Sequence, residues 1–132
     1  MNILLDTCAF LWLITGADQL SRQAEQLVLD EGNEVYLSAI SCWEIALKTS
    51  AGKLRLPAPP ADYLPRQRES HNILSLPLDE KAALFLPRLP SHHRDPFDRM
   101  LVTQAIVRRC PIITLDSKLS RYPIHTIGTD AP

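Results

Sequence analysis

Short apolar runs that break off at an acid constrain this chain more than any other feature. Residues 2–5 read Asn-Ile-Leu-Leu and stop at Asp6; Pro111-Ile112-Ile113-Thr114-Leu115 stops at Asp116. Neither run alternates apolar with polar side chains, so a strand formed there is buried on both faces. Val35-Tyr36-Leu37 and residues 73–76 are runs of the same kind, and residues 124–127 form a final candidate strand. Helical segments fill the gaps. One begins in residues 8–14 and stops at Gly16; a second follows Ser21 to about Glu31, with Gly32 behind it; a third follows Ser41, holds Glu44 and Lys48, and stops near Gly52. Residues 61–70 despite Pro65, residues 80–86, and a segment from Pro96 to about Arg109 complete the set. Each parallel strand connection needs a crossover, so this alternation predicts a three-layer α/β/α fold around a central, mainly parallel sheet of about four or five short strands. In such sheets the functional crevice lies at the carboxyl ends of the strands.

The chain has 132 residues and is 45% hydrophobic, which suits one domain over residues 1–132 with a single core. Its formal net charge of -1 excludes a binder that is basic throughout. All basic residues except Arg22 lie beyond residue 44, however, so a local basic face can form. Lys48, Lys53, Arg55, Arg66, Arg68, Arg94 and Arg99 are candidates for holding nucleic-acid phosphates; each reads equally well as ordinary charged surface. Cys8, Cys42 and Cys110 form no CxxC pair and sit among apolar neighbours. They are expected as buried free thiols in a reducing, cytoplasmic setting rather than as a zinc site. The apolar residues 8–14 are too few to span a membrane, so no membrane association is expected.

Four acids occupy related places. Asp6 and Asp116 follow strands, and Glu44 and Asp98 are expected in the first turns of helices, so all four can reach one rim of the sheet. Clustered carboxylates raise one another's pKa, and a site without a matching Lys or Arg is tolerable chiefly when a cation fills it. Oxygen-only ligands favour Mg2+ or Mn2+, and a pair of such ions is suited to phosphodiester hydrolysis. Each acid also has a purely structural reading. Asp6 can cap the helix after it. Ser41-Cys42-Trp43-Glu44 fits a capping box, the preferred local reading of Glu44. Asp95 before Pro96 is an N-cap, and Asp98 would sit where helix N-termini favour negative charge. Asp116 can simply start a turn with Ser117.

The motifs together resemble the PIN-domain ribonucleases, in particular the VapC-type toxins of type II toxin–antitoxin pairs. The likeness spans nearly the whole chain. Its carriers are Ile3-Leu4-Leu5-Asp6-Thr7, Ser41-Cys42-Trp43-Glu44-Ile45 with Lys48 and Gly52-Lys53-Leu54, His93-Arg94-Asp95-Pro96-Phe97-Asp98-Arg99-Met100-Leu101, and Ile113-Thr114-Leu115-Asp116. The resemblance implies a metal-dependent endoribonuclease using Mg2+ or Mn2+, with Asp6, Glu44, Asp98 and Asp116 as catalytic metal ligands. It further implies an RNA substrate, a homodimer and a cognate antitoxin. Thr7 matches the family's hydroxyl residue after the first aspartate, with a role in orienting that acid or a water.

The remaining readings are plainer. His92 and His93 are expected as solvated loop residues and not as metal ligands. Trp12 and Trp43 are expected in the core, although Trp43 beside Glu44 could stack a base. Residues 10–14 are apolar all round, which calls for a fully buried helix or one covered by a second subunit. Two other functions stay open: a non-catalytic RNA-binding or protein-interaction module on the same fold, and a phosphohydrolase with an aspartate nucleophile. The latter commonly places a second aspartate two residues after the first, where this chain has Cys8.

Overall fold

β1 (Asn2–Leu5) is built for the middle of a sheet, with Ile3, Leu4 and Leu5 all fully buried. In the computed structural model, which describes residues 1–128, Ile3 and Leu5 face one apolar cluster with Phe10 and Ala24. Leu4 faces the opposite cluster with Leu101, Val102 and Ala105. Residues 129–132 of the expected single domain lie outside the described residues. Burying one such Leu or Ile stabilises the fold by about 1.5–3 kcal/mol.

β2 (Glu34–Ser38), β3 (Ile73–Leu76), β4 (Ile112–Ile113) and β5 (Thr126–Ile127) join β1 in one parallel sheet of order β3-β2-β1-β4-β5. This is the expected three-layer α/β/α architecture. Leu4 stands opposite Tyr36 on one side and Ile112 on the other. The chain grows outward from β1 to β3, then crosses back to lay β4 on the free side of β1. That reversal opens a crevice above the ends of β1 and β4. β4 and β5 are shorter than expected. The Asp116 N–H donates to Thr114 Oγ1 (3.0 Å) and turns the chain out of β4, while a turn from Tyr122 to Ile124 delays β5.

α1 (Thr7–Thr15) is capped by Asp6, whose Oδ1 accepts from the Ala9 N–H (2.7 Å), and ends at Gly16 with φ 69°. Only one side of it is deeply buried: Phe10 is inaccessible, while residues 11–14 are half-buried against the same core. α2 (Arg22–Leu29) stops before Glu31 because Asp30 Oδ1 accepts from the Gly32 N–H (2.8 Å) and forms a side-chain turn. Its cap is Ser21, whose Oγ accepts from the Ala24 N–H (3.1 Å). Ser21→Ala should lower stability by about 1 kcal/mol in urea titrations and leave every property of the crevice unchanged.

α3 (Ala39–Ser50) begins before Ser41, contrary to the capping-box reading. Ser38 ends β2 and also caps the helix, its Oγ accepting from the Ile40 N–H (3.0 Å), so strand passes straight into helix. The same hydroxyl donates to Gln104 Oε1, while Gln104 Nε2 donates to the Pro77 carbonyl (3.2 Å). This buried amide fixes α6 (Pro96–Arg108) against β2 and the start of α3. α4 (Pro60–Ser70) contains Pro65, and α5 (Glu80–Phe85) packs on α6. Among the described residues no helix is long and apolar enough to cross a membrane.

Candidate metal centre

The crevice above β1 and β4 collects its acids from four places in the fold: the end of β1, α3, α6 and the turn after β4. Asp6 leaves β1 directly; its backbone N–H donates to the Ile113 carbonyl (3.1 Å), which pins the carboxylate beside the end of β4. Asp6 is 6% exposed. Burial pushes its pKa up, hydrogen bonds from the Thr114 hydroxyl and the Ala9 N–H pull it down, and the charges of Asp116 and Glu44 raise it again. Burial and the neighbouring charges prevail, so a charged Asp6 is disfavoured here. Asp6 is thus both a helix cap and a member of the cluster, and the two readings do not compete.

Asp98 is the third residue of α6, where Asp95 caps the helix by accepting from the N–H groups of Phe97 (2.9 Å) and Asp98 (3.3 Å). Burial, then the neighbouring charges of Asp95 and Asp6, raise Asp98 to about 7, with His93 opposing the shift. Asp116 caps a short 3-10 turn, Ser117–Arg121, and Oδ1 accepts from the Lys118 N–H (3.0 Å). Its other oxygen, Oδ2, lies 2.9 Å from His93 Nε2. Burial lifts the Asp116 carboxyl, but the Lys118 N–H and His93 outweigh it and hold the group below the ordinary range. Asp116 therefore starts a turn and still presents an oxygen to the crevice.

Glu44 differs from the expectation in two ways. It is the sixth residue of α3, in the second turn rather than the first, and it caps nothing. Its Oε1 accepts from Thr7 Oγ1 (2.7 Å), and its Oε2 pairs with Lys48 Nζ (2.6 Å). Thr7 Oγ1 also lies 2.9 Å from Ser41 Oγ. A hydroxyl has one proton, so Thr7 gives its own to Glu44 and accepts Ser41's. Glu44 is 4% exposed and already has a cation beside it, so the cluster is not free of matching charge as expected. Among the described residues, Lys48 is the one Lys or Arg paired with any of the four acids.

Sequence reasoning missed His93. Its side chain is only 11% exposed, and Nε2 lies 2.9 Å from Asp116 Oδ2 and 3.2 Å from Asp98 Oδ2. His93, Asp98 and Asp116 form a group whose ligand atoms all lie within 4.8 Å of one another. The signal was the spacing: His93 stands two residues before the cap Asp95, where the chain curls over the first turn that carries Asp98. His92 is exposed and lies edge-on against Tyr122, with centroids 5.1 Å apart.

Other expectations change as well. Trp43 is 57% exposed instead of in the core and meets Phe97 edge-on at 5.2 Å. Trp12 is half-buried against the core. Arg68 Nη1 donates to the Ile73 carbonyl (3.1 Å) and Arg99 Nη2 reaches toward the Leu89 carbonyl (3.5 Å), so both have local structural partners. Lys53, Arg55, Arg66 and Arg94 are exposed. The thiols are free, but Cys8 is exposed and Cys42 half-buried; only Cys110 is buried as expected.

The donor set suits a hard divalent cation. Asp6 and Asp98 are desolvated carboxylates pushed up in pKa by burial and by neighbouring acids, Asp116 and Glu44 for Asp6 and Asp95 and Asp6 for Asp98, and every acid in the crevice offers oxygen. A divalent cation at Asp98 and Asp116 would relieve that strain; Asp6 and Glu44 lie outside the group of ligand atoms within 4.8 Å of one another, although their charges act on Asp98.

The family model of the PIN domain matches residues 3–124. No curated protein matches the chain in sequence. Among solved structures, the chain is similar to VapBC2 from Rickettsia felis bound to a DNA fragment from their promoter, with TM-score 0.74 and 15% identity over 96% of this chain and 98% of that one. It is also similar to DNA-bound VapBC from Salmonella typhimurium, with TM-score 0.69 and 17% identity over 96% and 97%. VapBC-5 from Mycobacterium tuberculosis, a member of the VapBC family of toxin–antitoxin systems, matches with TM-score 0.61 and 21% identity over 96% and 97%. At these identities the likeness shows the fold.

Proposed function

The chain belongs to the PIN-domain family, and on that premise we propose that it is a metal-dependent endoribonuclease, the toxin of a type II toxin–antitoxin pair. The observation that carries this reading is that Asp98 and Asp116 lie within ligand distance of one another while buried Asp6, from a third element, is close enough for its charge to act on Asp98 and to feel that of Asp116. Asp98 and Asp116, with Asp6 beside them, would hold Mg2+ or Mn2+, and when bound the cation would supply positive charge for attack of water on an RNA phosphodiester and departure of the 3'-oxygen. Thr7 and Lys48 fix Glu44 at the edge of the cluster, and Lys48 also offsets part of its charge. Exposed Lys53, Arg55, Arg66 and Arg94 can hold the phosphates of a bound strand.

A cognate antitoxin and a second copy of the chain are the protein partners on this reading. The toxin–antitoxin complexes of the same fold support the former. An exposed apolar face supports a protein partner generally: Trp43 and Leu47 project from α3 beside a groove lined by Ala46, Pro60, Ala61 and Leu64.

The test is cleavage of end-labelled structured RNA with Mg2+, Mn2+ or EDTA, beside an Asp6→Asn protein purified identically. Metal-dependent products from the wild type alone are expected. Equal behaviour of the two proteins under every ion would remove the nuclease reading and favour a non-catalytic RNA- or protein-binding module.

A further inference from the structure

His93 is held at three points. Its backbone N–H donates to the hydroxyl of buried Tyr122 (2.9 Å). Its Nδ1 accepts from the Asp95 N–H (3.0 Å), and its Nε2 faces Asp116 Oδ2 (2.9 Å) and Asp98 Oδ2 (3.2 Å). The second contact decides the chemistry of the third. A ring nitrogen that accepts a backbone N–H carries no proton, so the proton of the neutral imidazole is on Nε2. Nε2 is then a donor to the two carboxylates and has no lone pair to give a cation. Distance alone would allow His93 to ligate a metal with Asp98 and Asp116; the Asp95 N–H argues against it.

The same contact explains why Asp98 is free to point into the crevice. In a capping box, the acidic side chain at the third helical position bonds back to the N–H of the cap residue. Here the cap is Asp95 and the third residue is Asp98, but the Asp95 N–H is already taken by the His93 ring. Asp98 is left with its carboxylate toward Nε2 and Asp116.

We propose that His93 is a positioning residue of the acidic cluster, locked in its Nε2–H tautomer so that it orients Asp98 and Asp116 for a cation that it does not itself ligate. This rests on the reading of those acids as a metal site, and it deepens that reading. Partners that orient metal ligands from outside the coordination shell typically contribute about 10–100-fold to affinity.

The experiment measures Mn2+ affinity by calorimetry on the full chain for wild type, His93→Ala, His93→Gln and Asp98→Asn. In parallel, 15N NMR of histidine-labelled wild type reads the tautomer of His93 before and after Mg2+, with the His93→Gln spectrum assigning its resonances. His93→Ala should bind Mn2+ about 10–100-fold more weakly. His93→Gln, whose amide N–H reaches the Nε2 position, should recover most of that loss, and Nε2 should stay protonated when Mg2+ is added. Tyr122→Phe, which frees the loop without touching the crevice, should weaken Mn2+ binding less than His93→Ala. Loss of the Nε2 proton on Mg2+ addition would make His93 a ligand and overturn the proposal while leaving the metal site standing. Wild-type affinity in His93→Ala would also overturn it. Absence of Mn2+ binding by the wild type, or undiminished binding by Asp98→Asn, would instead overturn the metal-site reading itself and the positioning role with it.

Discussion

Asp98→Asn is expected to abolish metal-dependent cleavage and, in EDTA near neutral pH, to melt at a higher temperature than the wild type. Both effects have one cause. Asp98 is a largely desolvated carboxylate raised to about 7, first by burial and then by the charges of Asp95 and Asp6. Without a cation, its ionised form works against folding near neutral pH. Asparagine has the same shape, keeps an oxygen to accept from His93 Nε2, and carries no charge. A metal ligand, by contrast, needs that charge. Loss of an outer hydrogen-bonding partner already costs about 10–100-fold, so loss of a direct carboxylate ligand should exceed that range in cleavage rate. Mn2+ should raise the melting temperature of the wild type by ligand linkage and leave Asp98→Asn unmoved. An asparagine variant that cuts RNA at the wild-type rate would take Asp98 out of the mechanism. One that melts lower in EDTA would show that the carboxylate is a structural group held by its hydrogen bonds.

What was legible in the sequence followed from how many local signals agreed. β1 and β3 are legible at their observed bounds because each short apolar run is cut off sharply, by Asp6 after β1 and by Asn72 and Pro77 around β3; β1 is buried on both faces, whereas β3 at the sheet edge leaves Leu74 exposed. The start of α6 was fixed by Asp95-Pro96, where a capping side chain and a preset φ coincide. Glu44 shows the opposite. Ser41-x-x-Glu44 is a valid capping box locally, yet Ser38 already capped the helix from the last residue of β2, and the true role of Glu44 lay with Thr7 across the crevice. No spacing along one helix reveals a hydrogen bond to a residue 37 positions away.

His93 and Lys48 were misjudged for related reasons. A loop histidine is solvated unless tertiary contacts hold it, and here the holders are Tyr122 and Asp95, of which only the second is near in sequence. Lys48 reads as a candidate for RNA phosphates by its charge; its i, i+4 spacing to Glu44 is the same whether the helix starts at Ser38 or Ser41, but the capping-box reading turns the Glu44 carboxylate back toward Ser41 and away from Lys48. Trp43 reads as core by composition and is exposed because its neighbours Glu44 and Ile45 take the buried side of α3.

The pH dependence of stability gives the second large effect, and its sign depends on the metal. In EDTA, the Asp98 carboxyl has an ordinary value of 3.8 in the unfolded chain and about 7 in the folded one. Below both values it is protonated in either state and contributes nothing. Between them the native state holds a proton that the unfolded state has released, so stability falls as pH rises from about 4 to 7. That interval corresponds to about 4 kcal/mol; the 21% exposure of the side chain reduces it to roughly half. Asp6, also raised, acts in the same direction, while the lowered Asp116 is ionised in both states across this window and adds a slope of the opposite sign only below its ordinary value of 3.8. With saturating Mn2+ the slope should turn positive, because the cation competes with protons for the same oxygens and binds better as they leave. Chemical denaturation at several pH values across this window, with EDTA and with Mn2+, measures both slopes. Asp98→Asn should flatten most of the EDTA slope and leave little metal-dependent difference. A metal-free wild type that grows more stable from pH 4 to 7 would mean that the cluster is stabilised by its hydrogen bonds as a set of anions, and that no cation is needed to hold Asp6, Asp98 and Asp116 together.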